Sequence, residues 1–394
     1  MCITKKKNRL VALGISAVLL GFSLPALAKE PAINPLLQDQ LDQLREQYHI
    51  SGMALTVIAP QLSPRPLNFM SGKTRKVRGR PIITSDFFQI GSNTKSFVAA
   101  ILLKLQSEKR LSLDDPLSKW LPQYADKWGE VTVRHLLHNN SGIPSYSKNQ
   151  KFLRKFEREP NYQYSNRELV SYAYDDTHPE SKAVFKAGQG WYYSNTNWVL
   201  AGMVAEKAGK LPFEKLLKKY ITSSEKNNLS NTRYINSSYS RNTLNRLVHG
   251  YSDEGEDVTG RNASWASTAG AILQSNEDLA YWAYELFHGN VLNKEDLSQM
   301  QQLVSTETGK EIPNTTVNPQ GYGLGIGLKR IDAGPYWGHE GHTEGYHSSF
   351  AFFPEDDITI TINASGLENS NFETVMQNIV HSIREAQSDL HSKA

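Results

Sequence analysis

Cysteine is nearly absent: the 394 residues contain one, Cys2, close to the N-terminus. Past that point disulfides, thiolate nucleophiles and cysteine-held metals are excluded, so the fold must rest on its core. Low-complexity tracts and internal repeats are also missing, and no segment has the composition of a disordered chain. Long hydrophobic runs are missing too, apart from Leu10 to Leu24.

That one run defines the start of the chain. Lys5, Lys6, Lys7 and Arg9 precede it, and Pro25-Ala26-Leu27-Ala28 follows with small residues in an A-x-A pattern. A basic segment, a short apolar stretch and a small-residue cut site describe a secretory leader, with cleavage expected after Ala28. The run is short for a membrane span, so no stable span is expected once the leader is removed, and the protein is expected to be periplasmic or secreted. The leader carries four basic and no acidic residues. Its removal takes the balance from 43 basic against 40 acidic to 39 against 40. The basic footprint of a nucleic-acid binder is therefore absent.

What is present is mixed. Leu37, Leu41, Leu44 and Tyr48 recur at helical spacing, and strand-like runs follow at 52–59 and 67–71. From Ser92 to about Leu303 the signals are mainly helical, with polar connections such as 223–240. Strand patterns return at 323–330, 348–353 and 358–363, the last written ITITIN, before a closing helix from about Phe372 to Ala386. Strands at both ends and helices between them indicate a sheet domain built from both termini, with a mostly helical domain inserted.

The stretch QIGSNTKSFVAAILLKLQ, residues 89–106, reads as a buried helix with two polar groups at its mouth. Positions i and i+3 share a helix face, so Ser92 and Lys95 can touch. The free N–H groups of a first turn favour negative charge on the serine oxygen. A lysine held dry beside it loses its preference for the ammonium form and can serve as a base. On spacing alone, an N-cap serine followed by a solvated lysine fits equally well. Ser145 to Lys148 and Ser223 to Lys226 repeat the S-x-x-K spacing, but in polar stretches with no apolar helix behind them.

The company of the motif separates these readings. KRLSLDDPLSKWLP, VTVRHLLHNNSGIP, GQGWYYSNTNWVLAGMVAEKAG, WASTAGAILQSNEDLAYW, YGLGIGL and WGHEGHTEGYHSS follow in that order. Together they resemble the penicillin-recognising serine hydrolases: D-alanyl-D-alanine carboxypeptidases, class C β-lactamases and related esterases. The resemblance runs from about residue 35 to 385. It implies an α+β fold of β-lactamase/transpeptidase type, an antiparallel sheet flanked by helices with an inserted mostly helical domain. The sheet domain is expected at 29–91 and 304–394, and the helical one at 92–303.

The resemblance places the family's first motif on Ser92 and Lys95. Its second, Tyr-x-Asn, has two candidates. Tyr164-Ser165-Asn166 stands where Ser165 or Asn166 looks like a helix cap. Tyr193-Ser194-Asn195 follows Gly188 and Gly190 and precedes an apolar helix, which is the family setting. Tyr193 is therefore expected to shuttle a proton, with a pKa lowered by Lys95, and Asn195 to donate to a substrate amide carbonyl. Lys-Thr-Gly, frequent as the third motif, occurs nowhere; His339-Glu340-Gly341 stands in its place.

Histidine at that position resembles the carboxypeptidase and esterase branches. The implied oxyanion donors are the backbone N–H groups of Ser92 and His342, with Gly341 allowing close approach. His339 is expected to change charge through the histidine range, and Glu340, if it points into the cleft, to repel a substrate carboxylate.

Two rivals remain. His339, His342, His347, Glu340 and Glu344 could be taken for zinc ligands, but HEGHT is not H-E-x-x-H, and its glycines argue against the helix that motif requires. A non-catalytic receptor of cell-wall peptide or penicillin would keep the same fold. The expectation is an acyl-enzyme serine hydrolase, most simply a D-Ala-D-Ala carboxypeptidase. Class C-like β-lactamase and carboxylesterase are its alternatives within the family. Its partners would be small peptide or β-lactam substrates and peptidoglycan precursors, with no cofactor and no metal.

Overall fold

The computed structural model describes residues 33–174, 183–223, 229–314, 321–366 and 372–392. The expected leader and its cut after Ala28 lie outside them. A first helix, α1 (Asn34–Gln47), leads into strands β1 (Gly52–Ile58) and β2 (Leu67–Gly72). The helical region contributes α2 (Thr94–Ser107), α3 (Asn195–Gly209) and α4 (Asn276–Phe287), among shorter helices. Phe88–Gln89, Thr232–Tyr234 and Ile272–Gln274 form a small separate sheet, and the other strands of the large sheet are β3 (Leu303–Ser305), β4 (Glu311–Ile312), β5 (Gly321–Tyr322), β6 (Gly327–Ile331), β7 (Gly334–Thr343), β8 (Tyr346–Phe353) and β9 (Ile358–Ser365). Helix α5 (Phe372–Ser392) closes the sequence of elements.

Among the described residues these nine strands form one antiparallel sheet in the order β2-β1-β9-β8-β7-β6-β5-β3-β4. Strand β1, from the N-terminal part, pairs with β9, so strands from both ends of the sequence meet next to the β2 edge of the sheet. The mixed fold with a large antiparallel sheet and many helices is the one expected.

Both faces of the sheet are covered. Met53, Leu55 and Val57 of β1 join Leu37 and Leu41 of α1 and Met376, Ile379 and Val380 of α5 in one core. Trp337 and Phe350 face the other way, into a larger core that contains α2 and α3. The ITITIN strand therefore has no wet face. Its Thr359, Thr361 and Asn363 are fully buried, and Asn276 at the start of α4 donates to Thr56 Oγ1 at 2.9 Å and to the Thr361 carbonyl at 3.1 Å. At Thr361, hydrogen bonding from a helix terminus replaces the solvent that alternation would suggest.

Helix α2 is buried on nearly every side, from Thr94 through Leu103 and again at Leu105. Phe97 stacks on Trp282 of α4 with ring centroids 3.8 Å apart, and Trp282 Nε1 donates to Ser96 Oγ at 2.9 Å. The helix cannot shift without opening that contact, which fixes its N-terminal end against the sheet. No helix among the described residues is long and apolar enough to cross a membrane.

Candidate active site

Ser92 sits in a single 3₁₀ turn, Gly91–Asn93, that feeds directly into α2, and Lys95 lies in the first turn of the helix. The N-cap alternative fails for Ser92, because neither the turn nor the helix has a side-chain cap. Instead Lys95 Nζ lies 2.7 Å from Ser92 Oγ. Two other oxygens surround the same nitrogen: Asn195 Oδ1 at 2.9 Å and the Ala269 carbonyl at 2.8 Å.

Lys95 is fully buried, and burial pushes its pKa well below the ordinary lysine value. A neutral amine has two N–H donors and one lone pair. Both donors are committed to acceptors that cannot donate in return, so the lone pair is left facing the Ser92 hydroxyl. That is the geometry of a general base beside a nucleophile.

Tyr193 enters from the turn before α3. Its ring lies 5.0 Å from Lys95 Nζ, and its hydroxyl hydrogen-bonds to Ser92. The expectation of a lowered pKa is corrected here. Burial, reinforced by the Glu340 charge, pushes the phenol above its ordinary value despite the Ser92 bond. Tyr193 is thus held protonated and can give a proton but not begin by taking one.

Asn195 is part of the array but is more occupied than expected. Beyond accepting from Lys95, its Nδ2 donates to Ser147 Oγ at 2.9 Å, and its backbone N–H donates to Ser145 Oγ at 3.0 Å. One N–H of the side chain is left for a substrate. Ser145 and Ser147 belong to the discarded S-x-x-K repeat, whose Lys148 is exposed over the Tyr192 ring. The serines of this repeat support Asn195, a role the spacing did not reveal. The other YSN behaves as a cap: Ser165 Oγ accepts from the Glu168 N–H at 3.1 Å. Most of the Ser223–Lys226 repeat lies outside the described residues.

The third motif lies on β7, whose free edge beyond Gly338 runs against the Ser92 turn. A Cβ on Gly341 would fall 2.0 Å from the Ile90 carbonyl oxygen. One on Gly91, already at φ +48°, would fall 2.9 Å from the His342 backbone nitrogen. Only glycine permits this approach of strand to turn.

His339 does not titrate as expected. Its Nδ1–H donates to the Glu340 carbonyl at 2.6 Å, and Tyr322 OH donates to Nε2 at 3.0 Å. Burial lowers its pKa to about 3. The imidazole is neutral with one tautomer fixed, so it cannot supply a pH-dependent charge near neutrality.

Glu340 is ionised, held well below the usual carboxylate range first by its hydrogen bond from His347 and then by Lys329. Lys329 Nζ donates to it at 2.8 Å and to Glu373 at 3.1 Å. Glu340 therefore presents its charge paired rather than bare.

The cleft has a volume of about 660 Å³ and is lined by Ser92, Tyr193, Asn195, Tyr322, Lys329 and Glu373, among others. Tyr322, Trp191 and Tyr193 make an aromatic wall, with Trp191 edge-on to Tyr322 at 5.7 Å. Tyr322, Lys329 and Glu373 were not foreseen. Tyr322 stood in view within YGLGIGL, but a tyrosine in an apolar strand carries no sign of which ring nitrogen it will meet.

The sequence model of the Beta-lactamase family matches residues 37–380. The chain belongs to the beta-lactamase family. That is the family that the motif order implied.

Penicillin-binding protein 4* of Bacillus subtilis is 26% identical over 216 residues, covering 55% of this chain and 45% of that protein. The chain thus spans about half the length of that curated relative. A Beta-lactamase from Escherichia coli K12 is 24% identical over 385 residues, covering 91% of this chain and 94% of the relative. Among solved structures, a D-stereospecific amidohydrolase from Streptomyces sp. superposes with a TM-score of 0.69 at 28% identity, covering 84% of this chain and 94% of that one.

Proposed function

We propose that this family member is an exported amidohydrolase acting through an acyl-enzyme on Ser92, with peptides ending in D-Ala-D-Ala as its substrate class. The observation that carries the proposal is the fully buried Lys95 amine, with two donors committed and its remaining valence 2.7 Å from Ser92 Oγ. In this reading Lys95 takes the hydroxyl proton as Oγ attacks the scissile carbonyl. The backbone N–H groups of Ser92 and His342 hold the tetrahedral oxyanion. Tyr193 gives its proton to the leaving nitrogen and recovers one from Lys95, after which the C–N bond has broken and the acyl group is on Oγ. Water then enters, gives its proton back along the same route and releases the acid. Asn195 keeps Lys95 aimed and offers its remaining N–H to the substrate.

Simple D-amino-acid amides form a second substrate class, favoured by one feature. Lys329 is shared between Glu340 and Glu373, and His339 is neutral, so these residues of the cleft offer little net positive charge to a terminal carboxylate. The D-stereospecific amidohydrolase among the similar structures agrees with that class by name.

The test is mass spectrometry after exposure to a penicillin or an activated fluorophosphonate, with one adduct expected on the peptide containing Ser92. An adduct on Ser145 instead overturns the assignment. Parallel assays with a D-Ala-D-Ala peptide, D-alanine amide, a chromogenic cephalosporin and a short aryl ester then separate the substrates. Turnover of the ester alone replaces the amidohydrolase with an esterase, and labelling with no turnover of any substrate replaces it with a receptor.

A further inference from the structure

The hairpin of β7 and β8 assembles a group of ligands that the catalytic reading does not use. On a strand, residues two apart share a face, so Glu340 and His342 point the same way. His347 is the direct cross-strand partner of His342. Donor atoms of Glu340, His342 and His347 all lie within 4.8 Å of one another. The two imidazoles are stacked, centroids 3.8 Å apart and planes 27° off parallel. A tetrahedral ion with bonds of about 2.0–2.1 Å needs its donors about 3.4 Å apart, so the exposed His342 ring must swing out of its stack on His347 to close the set.

The surroundings suit such a site. Glu340 gives Oε1 to Lys329 and turns Oε2 toward His347 Nε2 at 3.7 Å, so one oxygen is steadied from outside while the other faces the cluster. His347 is buried, its ring stacked on Phe372 of α5 at 4.0 Å and 15°. His342 is exposed and lines the cleft, leaving a fourth position open to water and a path of entry. The zinc motif discarded from the sequence required a helix; a β-hairpin brings two histidines and a glutamate together by a different period.

We propose that this lip binds one divalent cation of the borderline class, with Zn²⁺ as its reference, through His342, His347 and one oxygen of Glu340. Two imidazoles and a carboxylate select Zn²⁺, Ni²⁺ or Cu²⁺ over Mg²⁺ and Ca²⁺. The ion is not a cofactor, because Lys95 and Ser92 need none. It is an inhibitor, since it ties down the side chain of the residue whose N–H is the proposed oxyanion donor. That consequence rests on the proposed function; the binding itself does not.

The test is calorimetric titration of the full chain with ZnCl₂ at neutral pH, with MgCl₂ as the comparison. One Zn²⁺ per chain and no Mg²⁺ uptake are expected. His342→Ala and His347→Gln should each weaken Zn²⁺ binding by about tenfold or more. His342 is at the surface, so His342→Ala decides the matter even if His347→Gln fails to fold. Absence of saturable uptake by the unaltered protein, or unchanged uptake in His342→Ala, overturns the site. Zn²⁺ should also slow fluorophosphonate labelling of Ser92, with EDTA restoring the rate. Binding without slowed labelling removes the inhibitory role and leaves the site in place.

Discussion

Replacing Asn195 by leucine asks whether the aim of a lysine, rather than its presence, governs acylation. In the native array Lys95 donates to Asn195 Oδ1 and to the Ala269 carbonyl, and these two bonds fix where its lone pair points. Asn195→Leu has a similar volume but removes one acceptor. A buried N–H left without a partner costs about 1–3 kcal/mol, and the amine can relieve that cost by turning its N–H toward Ser92 Oγ. Either way the lone pair is lost from the attacking hydroxyl. Taken into the barrier, about 1–3 kcal/mol slows acylation by roughly 5- to 150-fold.

The assay is the rate of Ser92 labelling by a small fluorophosphonate, which has no amide for Asn195 to bind, so substrate contacts do not enter. Lys95→Met sets the floor. Asn195→Asp is the companion: a carboxylate beside Nζ stabilises the ammonium, so labelling should fall at neutral pH and recover as the pH rises. Ser147→Ala, one bond further out, should cost about fivefold, the value of about 1 kcal/mol. If Asn195→Leu is labelled as fast as the native protein, the lysine is aimed by something else and the base assignment loses its support.

The His339 imidazole is neutral down to about pH 3, so His339→Asn should leave the midpoint of any activity titration between about pH 5 and 7 unmoved, whatever it does to the maximum rate. Burial lowers buried His138 to about 4. The unfolded chain takes up that proton first, so the stability this residue contributes is complete above about pH 6.5 and is lost as the pH falls toward 4. The gap is worth about 3 kcal/mol, and His138→Gln should flatten the acid limb of urea midpoints measured from pH 7 down to 4. Gly341→Ala should abolish Ser92 labelling while the protein still melts cooperatively, because the Ile90 backbone oxygen that the new methyl meets cannot turn aside. Incubation with EDTA should not lower amide hydrolysis, and loss of turnover restored only by added zinc would refute the serine mechanism.

Much of this site could be read from the sequence because its first elements are local. Ser92 and Lys95 are one helical turn apart, and an apolar run behind them announces a dry lysine. The choice of Tyr193 over Tyr164 likewise turned on neighbours in the sequence: glycines before, an apolar helix after. The strands of both termini announced themselves by composition.

What could not be read depends on contacts across the fold. The phenol of Tyr193 and the imidazole of His339 were expected to respond to their nearest charges, and both respond first to burial. Ser147 looked like part of a false motif because its partner, Asn195, is 48 residues away. ITITIN declared a strand but not that α4 would cover its polar side.

The pairing of β1 with β9 sets residue 52 opposite residue 365, with Ser92, Tyr193 and His339 all lying between them in the chain. Contacts this distant in sequence close slowly, since a large loop must be ordered before any bond repays it. The turn bearing Ser92 has no strand edge to lean on until β7 is in place, and β7 is itself held between β6 and β8. A chain that has folded only as far as α2 therefore holds Ser92 without the strand that lies beside it. On the proposed mechanism a chain without β7 lacks the His342 N–H beside Ser92, so labelling of Ser92 during refolding is expected to follow the docking of that strand.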